Sequence, residues 1–132
     1  MADRRRQIPH SAPVLGEEEA EAARRVVLSG RLAQGPEVEA FEEECAAFVG
    51  RRHGVAVSSG TAAIHLALEA LGVEPGEPVV APAYACDALV TAVGLAGAKP
   101  HLHDVDEHGL LRWEQPDAEA AMIVAHLFGK QA

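Results

Sequence analysis

Aromatic side chains make up only 4% of this 132-residue chain, and its two cysteines are Cys45 and Cys86. Two cysteines cannot build the disulfide framework that holds small secreted domains together. Stability must therefore come from a core, and 48% hydrophobic residues suffice for one. Basic charge is short as well: 20 acids face 11 Lys and Arg, for a net charge of -9. That balance argues against nucleic acid as a partner, because phosphate backbones are gripped by clustered Lys and Arg. The one basic cluster, Arg4-Arg5-Arg6, is followed by no apolar signal-peptide core and reads as a solvated tail. No apolar run approaches the roughly 18 residues of a membrane span. These absences together predict a cytoplasmic protein that binds neither nucleic acid nor membrane.

The polar and apolar pattern divides the chain into alternating elements. Pro9, Pro13 and Gly16 mark residues 1–16 as an irregular lead-in. "EEEAEAARRVVLSG" predicts a helix with Ala20, Ala23 and Val27 on one face, ended by Gly30. Pro36 suits the first turn of a second helix. There Val38, Phe41, Cys45 and Phe48 recur at spacings of three and four, while Glu42 to Glu44 point mostly to water. A helix is expected over "TAAIHLALEALG", with Ile64, Ala67, Leu68 and Leu71 aligned, and another over "DALVTAVGLAG". Strands are expected at Val55–Val57, Val79–Ala81, His101–His103 and Ile123–Ala125. "GLLRWEQPDAEA" reads as loop with a helical turn. Strands alternating with helices imply an α/β fold with a mostly parallel sheet and crossover connections. A parallel sheet needs helices on both faces, so a chain ending just after a strand reads as the first part of a larger domain.

The stretch "VAVSSGTAAIHLALEALG" passes from an apolar segment into a helix through Ser58-Ser59-Gly60-Thr61. The first amides of a helix have no intrahelical acceptor, and the helix dipole adds partial positive charge there. Glycine lets a phosphate come close to the backbone, and hydroxyls add donors, so these residues suit an anion site. An ordinary N-cap by Ser59 or Thr61 explains the same residues. The turn holds too few glycines for a dinucleotide fingerprint, and a Walker Gly-Lys-Ser/Thr and a Gly-x-Ser-x-Gly elbow are both absent.

Taken with its neighbours, the stretch says more. "SGRLAQGPEVEAFE", "VAVSSGTAAIHLALEALG", "EPVVAPAYA", "GAKPHLHDVD" and "AHLFG" occur in the order and spacing of the DegT/DnrJ/EryC1/StrS sugar aminotransferases, and the chain resembles that family from about Val14 onward. The resemblance implies a fold type I, aspartate-aminotransferase-like three-layer domain and pyridoxal 5'-phosphate as cofactor. It also implies a homodimer, and amino transfer, commonly from glutamate, to a nucleotide-linked keto-sugar. On this likeness Gly60, Thr61 and Ala62 face the cofactor phosphate. Ser29 and Gly30 open a segment, to Gly35, that lines the substrate side. Cys86 stands where the family often places an aromatic ring against the pyridine, and Tyr84 is the second candidate for that role.

Pyridoxal chemistry also needs a lysine to carry the cofactor and an acid at the pyridine nitrogen. The family places both beyond the position of residue 132. Lys99 and Lys130, the only lysines here, lack the family's lysine context and read as surface residues. Residues 17–132 are accordingly expected to be the N-terminal part of the large domain, cut before the catalytic lysine and containing no catalytic residue. A non-catalytic, regulatory or interaction role for such a piece is the alternative. "HLHDVDEHG" offers a rival: His101 and His103 share a strand face, followed by Asp104, Asp106 and His108, a set with metal-ligating chemistry. From Asp104 to Gly109 it also begins like a calcium loop, but Gln115 stands where Glu is required. His126 lies near the carboxyl edge of the last expected strand.

Overall fold

The computed structural model describes residues 11–112 and 120–131. Most of the lead-in, and most of "GLLRWEQPDAEA", lie outside the described residues. Two compact units divide the chain, Met1–Ala56 and Val57–Ala132.

The first unit contains α1 (Glu17–Ser29) and α2 (Pro36–Phe48). Local chemistry sets their ends. The Glu19 carboxylate accepts the Gly16 amide at 2.7 Å, which holds its carboxyl below the ordinary range and satisfies an otherwise orphaned donor. Gly30 closes α1 in the left-handed conformation, φ 70°, as side chains rarely can. Pro36 opens α2 at a position whose N–H has no helical partner anyway.

The buried faces of both helices differ from the expected ones. In α1, Ala22 and Val26 are half-buried while Ala20, Ala23 and Val27 are exposed. In α2 the inward line is Val38, Glu42 and Ala46, and Phe41, Cys45 and Phe48 face out, Phe48 at 91% exposure. The cause is the segment after α2. The Glu42 carboxylate accepts the Ala56 amide at 2.7 Å. Gly54 lies so close to α2 that a Cβ on it would stand 2.7 Å from the Glu42 carbonyl oxygen. Glu42 is thus turned inward by a backbone donor, which periodicity alone does not reveal. Val55–Val57, expected as a strand, pairs with no strand among the described residues.

The second unit contains α3 (Gly60–Ala70), β1 (Pro78–Pro82), α4 (Ala88–Leu95), β2 (Lys99–His103) and the two-residue β3 (Ala121–Met122). The strands form a parallel sheet in the order β2-β1-β3, with Val80 opposite His101 on one side and Met122 on the other. β1 and β2 match the expected strands. The last strand forms two residues early: Ala121–Met122 pairs, and Ile123 adds one more bond to the Val80 carbonyl at 2.8 Å. Val124 and Ala125 lie past that last contact. Central β1 is buried on both faces, with Val79, Val80 and Ala81 at 0% exposure. Leu68 from α3, Val93 from α4 and Ala96 just after it pack with Val73, Val79 and Ala98 into one core. Burying a valine such as Val79 or Val93 contributes roughly 2 kcal/mol. In α3, Leu68 and Ile64 turn inward, but Ala67 and Leu71 are exposed.

Candidate functional site

Connectivity fixes where the two helix N-termini of the second unit lie. α3 ends shortly before β1 begins, and both contribute to the same core. An 11-residue helix and a five-residue strand are both about 16 Å long. The first turn of α3 is therefore carried to the carboxyl edge of β1. α4 starts from the segment that leaves that same edge, and it packs along α3. The carboxyl edge of a parallel sheet is where α/β proteins hold ligands.

At the start of α3, Ser59 is extended (φ -164°, ψ 163°) and its Oγ accepts the Ala62 amide at 3.1 Å. This is the N-cap that the sequence admits, and it engages one of the three amides expected to face a phosphate. The Ala63 amide donates to the Ser59 carbonyl at 3.0 Å. The Gly60 and Thr61 amides have no acceptor among the described residues. A Cβ built on Gly60 meets nothing within 4 Å. Gly60 is thus not required by packing or by a left-handed backbone. A glycine with open space at its Cβ position and two unsatisfied donors in the same first turn, at the positive end of a helix, fit a phosphate group.

Cys86 is exposed, and its thiol lies 3.6 Å from the Asp87 carboxylate at the head of α4. Tyr84 is 58% exposed. Its ring, with Leu127 and Phe128, comes within 4 Å of where a Cβ on Gly109 would stand. Phe128 adopts φ 56°, the one non-glycine residue with positive φ among those described. Such a conformation costs about 1 kcal/mol or more, and nothing in the sequence announces it. His126 is exposed just ahead of this turn.

Ser29 and Gly30 belong to the first unit. The Ser29 hydroxyl donates to the Val26 carbonyl at 2.7 Å and accepts the Arg31 amide at 3.2 Å, so it closes the end of α1. Ser29 also lines a cleft between α1 and α2.

The "HLHDVDEHG" segment does not assemble a metal site. No group of three or more His, Cys, Asp or Glu among the described residues is arranged to hold an ion. Val105 and Leu111 form an antiparallel bridge around a tight turn. Asp106 is occupied inside that turn, its carboxylate accepting the His108 and Leu110 amides at 2.8 and 2.9 Å. The Leu110 amide foremost holds the Asp106 carboxyl below the usual range, with burial opposing it and the His108 amide adding to it. The rings of His101 and His103 meet edge to face, 4.7 Å between centroids. The lysines are surface residues, as expected: Lys99 is exposed at the start of β2, and the Lys130 ammonium lies 3.2 Å from His108 Nδ1.

Comparison with known proteins gives the family. The model of the DegT/DnrJ/EryC1/StrS aminotransferase family matches residues 13–132. The spore coat polysaccharide biosynthesis protein SpsC of Bacillus subtilis (strain 168) is 42% identical over 103 residues, 78% of this chain and 26% of SpsC. Among solved structures, S. venezuelae DesV is 35% identical with a TM-score of 0.76, over 88% of this chain and 33% of DesV. Spr1654 of Streptococcus pneumoniae, in its PMP form, aligns with a TM-score of 0.87 at 27% identity, over 95% of this chain and 33% of its own. The chain spans about a quarter to a third of the length of these relatives. No helix among the described residues is long and apolar enough to cross a membrane. Aminotransferases of this family are pyridoxal phosphate enzymes, and solved relatives include PLP and PMP forms. The parallel sheet, the helix that opens at Gly60 and the match from residue 13 to 132 agree: the chain belongs to the DegT/DnrJ/EryC1/StrS aminotransferase family.

Proposed function

We propose that these residues form the cofactor-phosphate side of a cytoplasmic, homodimeric aminotransferase that moves an amino group, from glutamate, to a nucleotide-linked keto-sugar. The observation that carries the reading is the first turn of α3, with two unsatisfied amides and the open face of Gly60. The chemistry supplied by bound pyridoxal phosphate is carriage of the amino group and storage of an electron pair in its ring. Gly60 and Thr61 hold the phosphate through their amides and the Thr61 hydroxyl. Ala62, tied to Ser59, keeps that turn rigid. Cys86 covers one face of the ring, because Tyr84 is turned toward Gly109 and a polarisable thiol suits an aromatic face. Ser29 and Gly30 belong to the substrate wall. Lys99 and Lys130 are both exposed, and on this reading neither carries the cofactor, so these residues alone do not catalyse.

The test titrates the 132-residue chain with pyridoxal phosphate and with pyridoxal, then treats it with borohydride and maps lysine adducts by mass spectrometry. Weak, reversible binding that requires the phosphate, without a stoichiometric adduct, is expected. A stoichiometric adduct on Lys99 or Lys130, with amino transfer to a keto-sugar, would overturn the reading.

A further inference from the structure

The three strands run parallel, so the segments that follow them leave the sheet at one edge. Those segments meet at Gly109. A Cβ there would stand 3.5 Å from Phe128 Cε2, 3.9 Å from Leu127 Cδ1 and 3.9 Å from Tyr84 Cδ1. Gly109 is itself fixed. Its φ is 79°, and its amide donates to the Asp106 carbonyl at 3.0 Å. The Asp106 carboxylate accepts the amides on either side of it, those of His108 and Leu110.

The turn that carries Phe128 runs against its own sequence. The Lys130 amide donates to the Leu127 carbonyl at 3.0 Å. Both central residues are left-handed, Phe128 at φ 56° and ψ 28°, Gly129 at φ 72°. A turn of this type I′ kind favours Gly, Asn or Asp at its first central position. Phenylalanine is strained there, and a strained residue persists only where its surroundings hold it. Burial does not explain the choice, because Phe128 is 76% exposed. What the ring does reach is Gly109, beside Tyr84. The Lys130 ammonium, 3.2 Å from His108 Nδ1, ties the end of the same turn to the Gly109 turn.

Tyr84 belongs to the loop from Ala83 to Asp87, which joins β1 to α4 and contains Cys86. The Ala83 amide anchors that loop to the His103 carbonyl at 2.7 Å. The amides of Tyr84, Ala85 and Cys86 have no acceptor among the described residues. Side-chain packing must then fix the middle of the loop, and Tyr84 is its largest side chain. We propose that Phe128 is a positioning residue: its ring, presented by the strained turn, seats Tyr84 on Gly109 and so sets where the Cys86 thiol stands. The role of that thiol at the pyridine ring rests on the function proposed above, whereas its placement does not.

The test uses the 132-residue chain with Cys45→Ser, which leaves Cys86 as the one thiol, and exploits Tyr84 as the one tyrosine. Three quantities are compared between Phe128 and Phe128→Asn. They are the nuclear Overhauser contact between the Tyr84 ring and the Gly109 Hα, the rate of Cys86 alkylation by iodoacetamide with and without pyridoxal phosphate, and the urea midpoint. With Phe128 present the contact should be seen, and pyridoxal phosphate should slow alkylation severalfold. Asparagine tolerates the left-handed conformation, so the midpoint of Phe128→Asn should be unchanged or raised. The contact should nonetheless be lost, the unliganded alkylation rate should change, and the shielding by pyridoxal phosphate should disappear. Phe128→Trp, which keeps a flat ring, should behave as Phe128 does. The proposal is overturned if Phe128→Asn keeps the contact or leaves the unliganded rate unchanged. A lowered midpoint accompanying those losses would also overturn it, because the ring would then serve stability rather than placement. If pyridoxal phosphate fails to slow alkylation with Phe128 present, the cofactor reading of Cys86 fails, while the contact and the unliganded rate still decide the positioning.

Discussion

Replacing Gly60 by valine separates the two roles that the start of α3 can have. A Cβ at this position meets nothing within 4 Å, and Gly60 is not among the residues with positive φ. The folded chain therefore accepts a side chain without steric strain. Removing the freedom of glycine from the unfolded chain offsets any loss of helix start, so stability should stay within about 1 kcal/mol of the wild type. Ligand binding should behave differently, because a branched side chain at Gly60 crowds a phosphate held by the Gly60 and Thr61 amides. One charge-assisted hydrogen bond to phosphate contributes about 1.5 to 3 kcal/mol, so loss of even one lowers affinity about tenfold or more. The assay is the ratio of pyridoxal phosphate to pyridoxal affinity, measured by spectroscopic titration, with a urea melt of the same sample as control. The ratio should fall toward one in Gly60→Val while the melt hardly moves. An unchanged ratio with an unchanged melt would refute the phosphate role and leave α3 with an ordinary N-cap.

Other perturbations test the same physical account. Thr61→Asp places a carboxylate in the first turn of α3, where the helix dipole stabilises it by about 0.3–1 kcal/mol. The melt should rise slightly while phosphate-dependent binding falls, and a gain in both would contradict the assignment. Gly54→Ala forces a Cβ against the Glu42 carbonyl, and should destabilise the first unit by about 1–3 kcal/mol, read as a lower urea midpoint. The Asp106 carboxyl titrates below the ordinary aspartate range because the Leu110 amide, foremost, favours its ionised form. Its contribution is present above the unfolded-state pKa and is lost as pH falls through the lower folded value. Amide exchange at His108 and Leu110, compared with other turns, should quicken over that acidic interval, and Asp106→Ala should remove the pH dependence.

Helix positions were legible in the sequence because their signals are local. Pro36 begins α2, Gly30 ends α1, and Ser59 caps α3 through a hydroxyl three residues from its donor. The candidate phosphate site was legible for the same reason: a helix N-terminus with small residues is a local object. The buried face of α2 was not legible. Phe41, Cys45 and Phe48 have the right spacing, yet Glu42 and Ala46 turn inward because the chain beyond α2 brings Gly54 and the Ala56 amide against Glu42. Strands were readable only in part, since a strand is a relation between two segments. Val79–Ala81 and His101–His103 find each other as neighbours, whereas Val55–Val57 has the same apolar character and pairs with no strand among the described residues. The apparent metal ligand Asp106 is instead occupied locally, by the amides of His108 and Leu110 in its own turn. The sequence by itself determined the helices, the α/β order and the residues offered to a phosphate. Only the tertiary structure decided which faces are buried, which segments pair and which polar groups stay free, because each of those depends on backbone donors and neighbours brought together from distant parts of the chain.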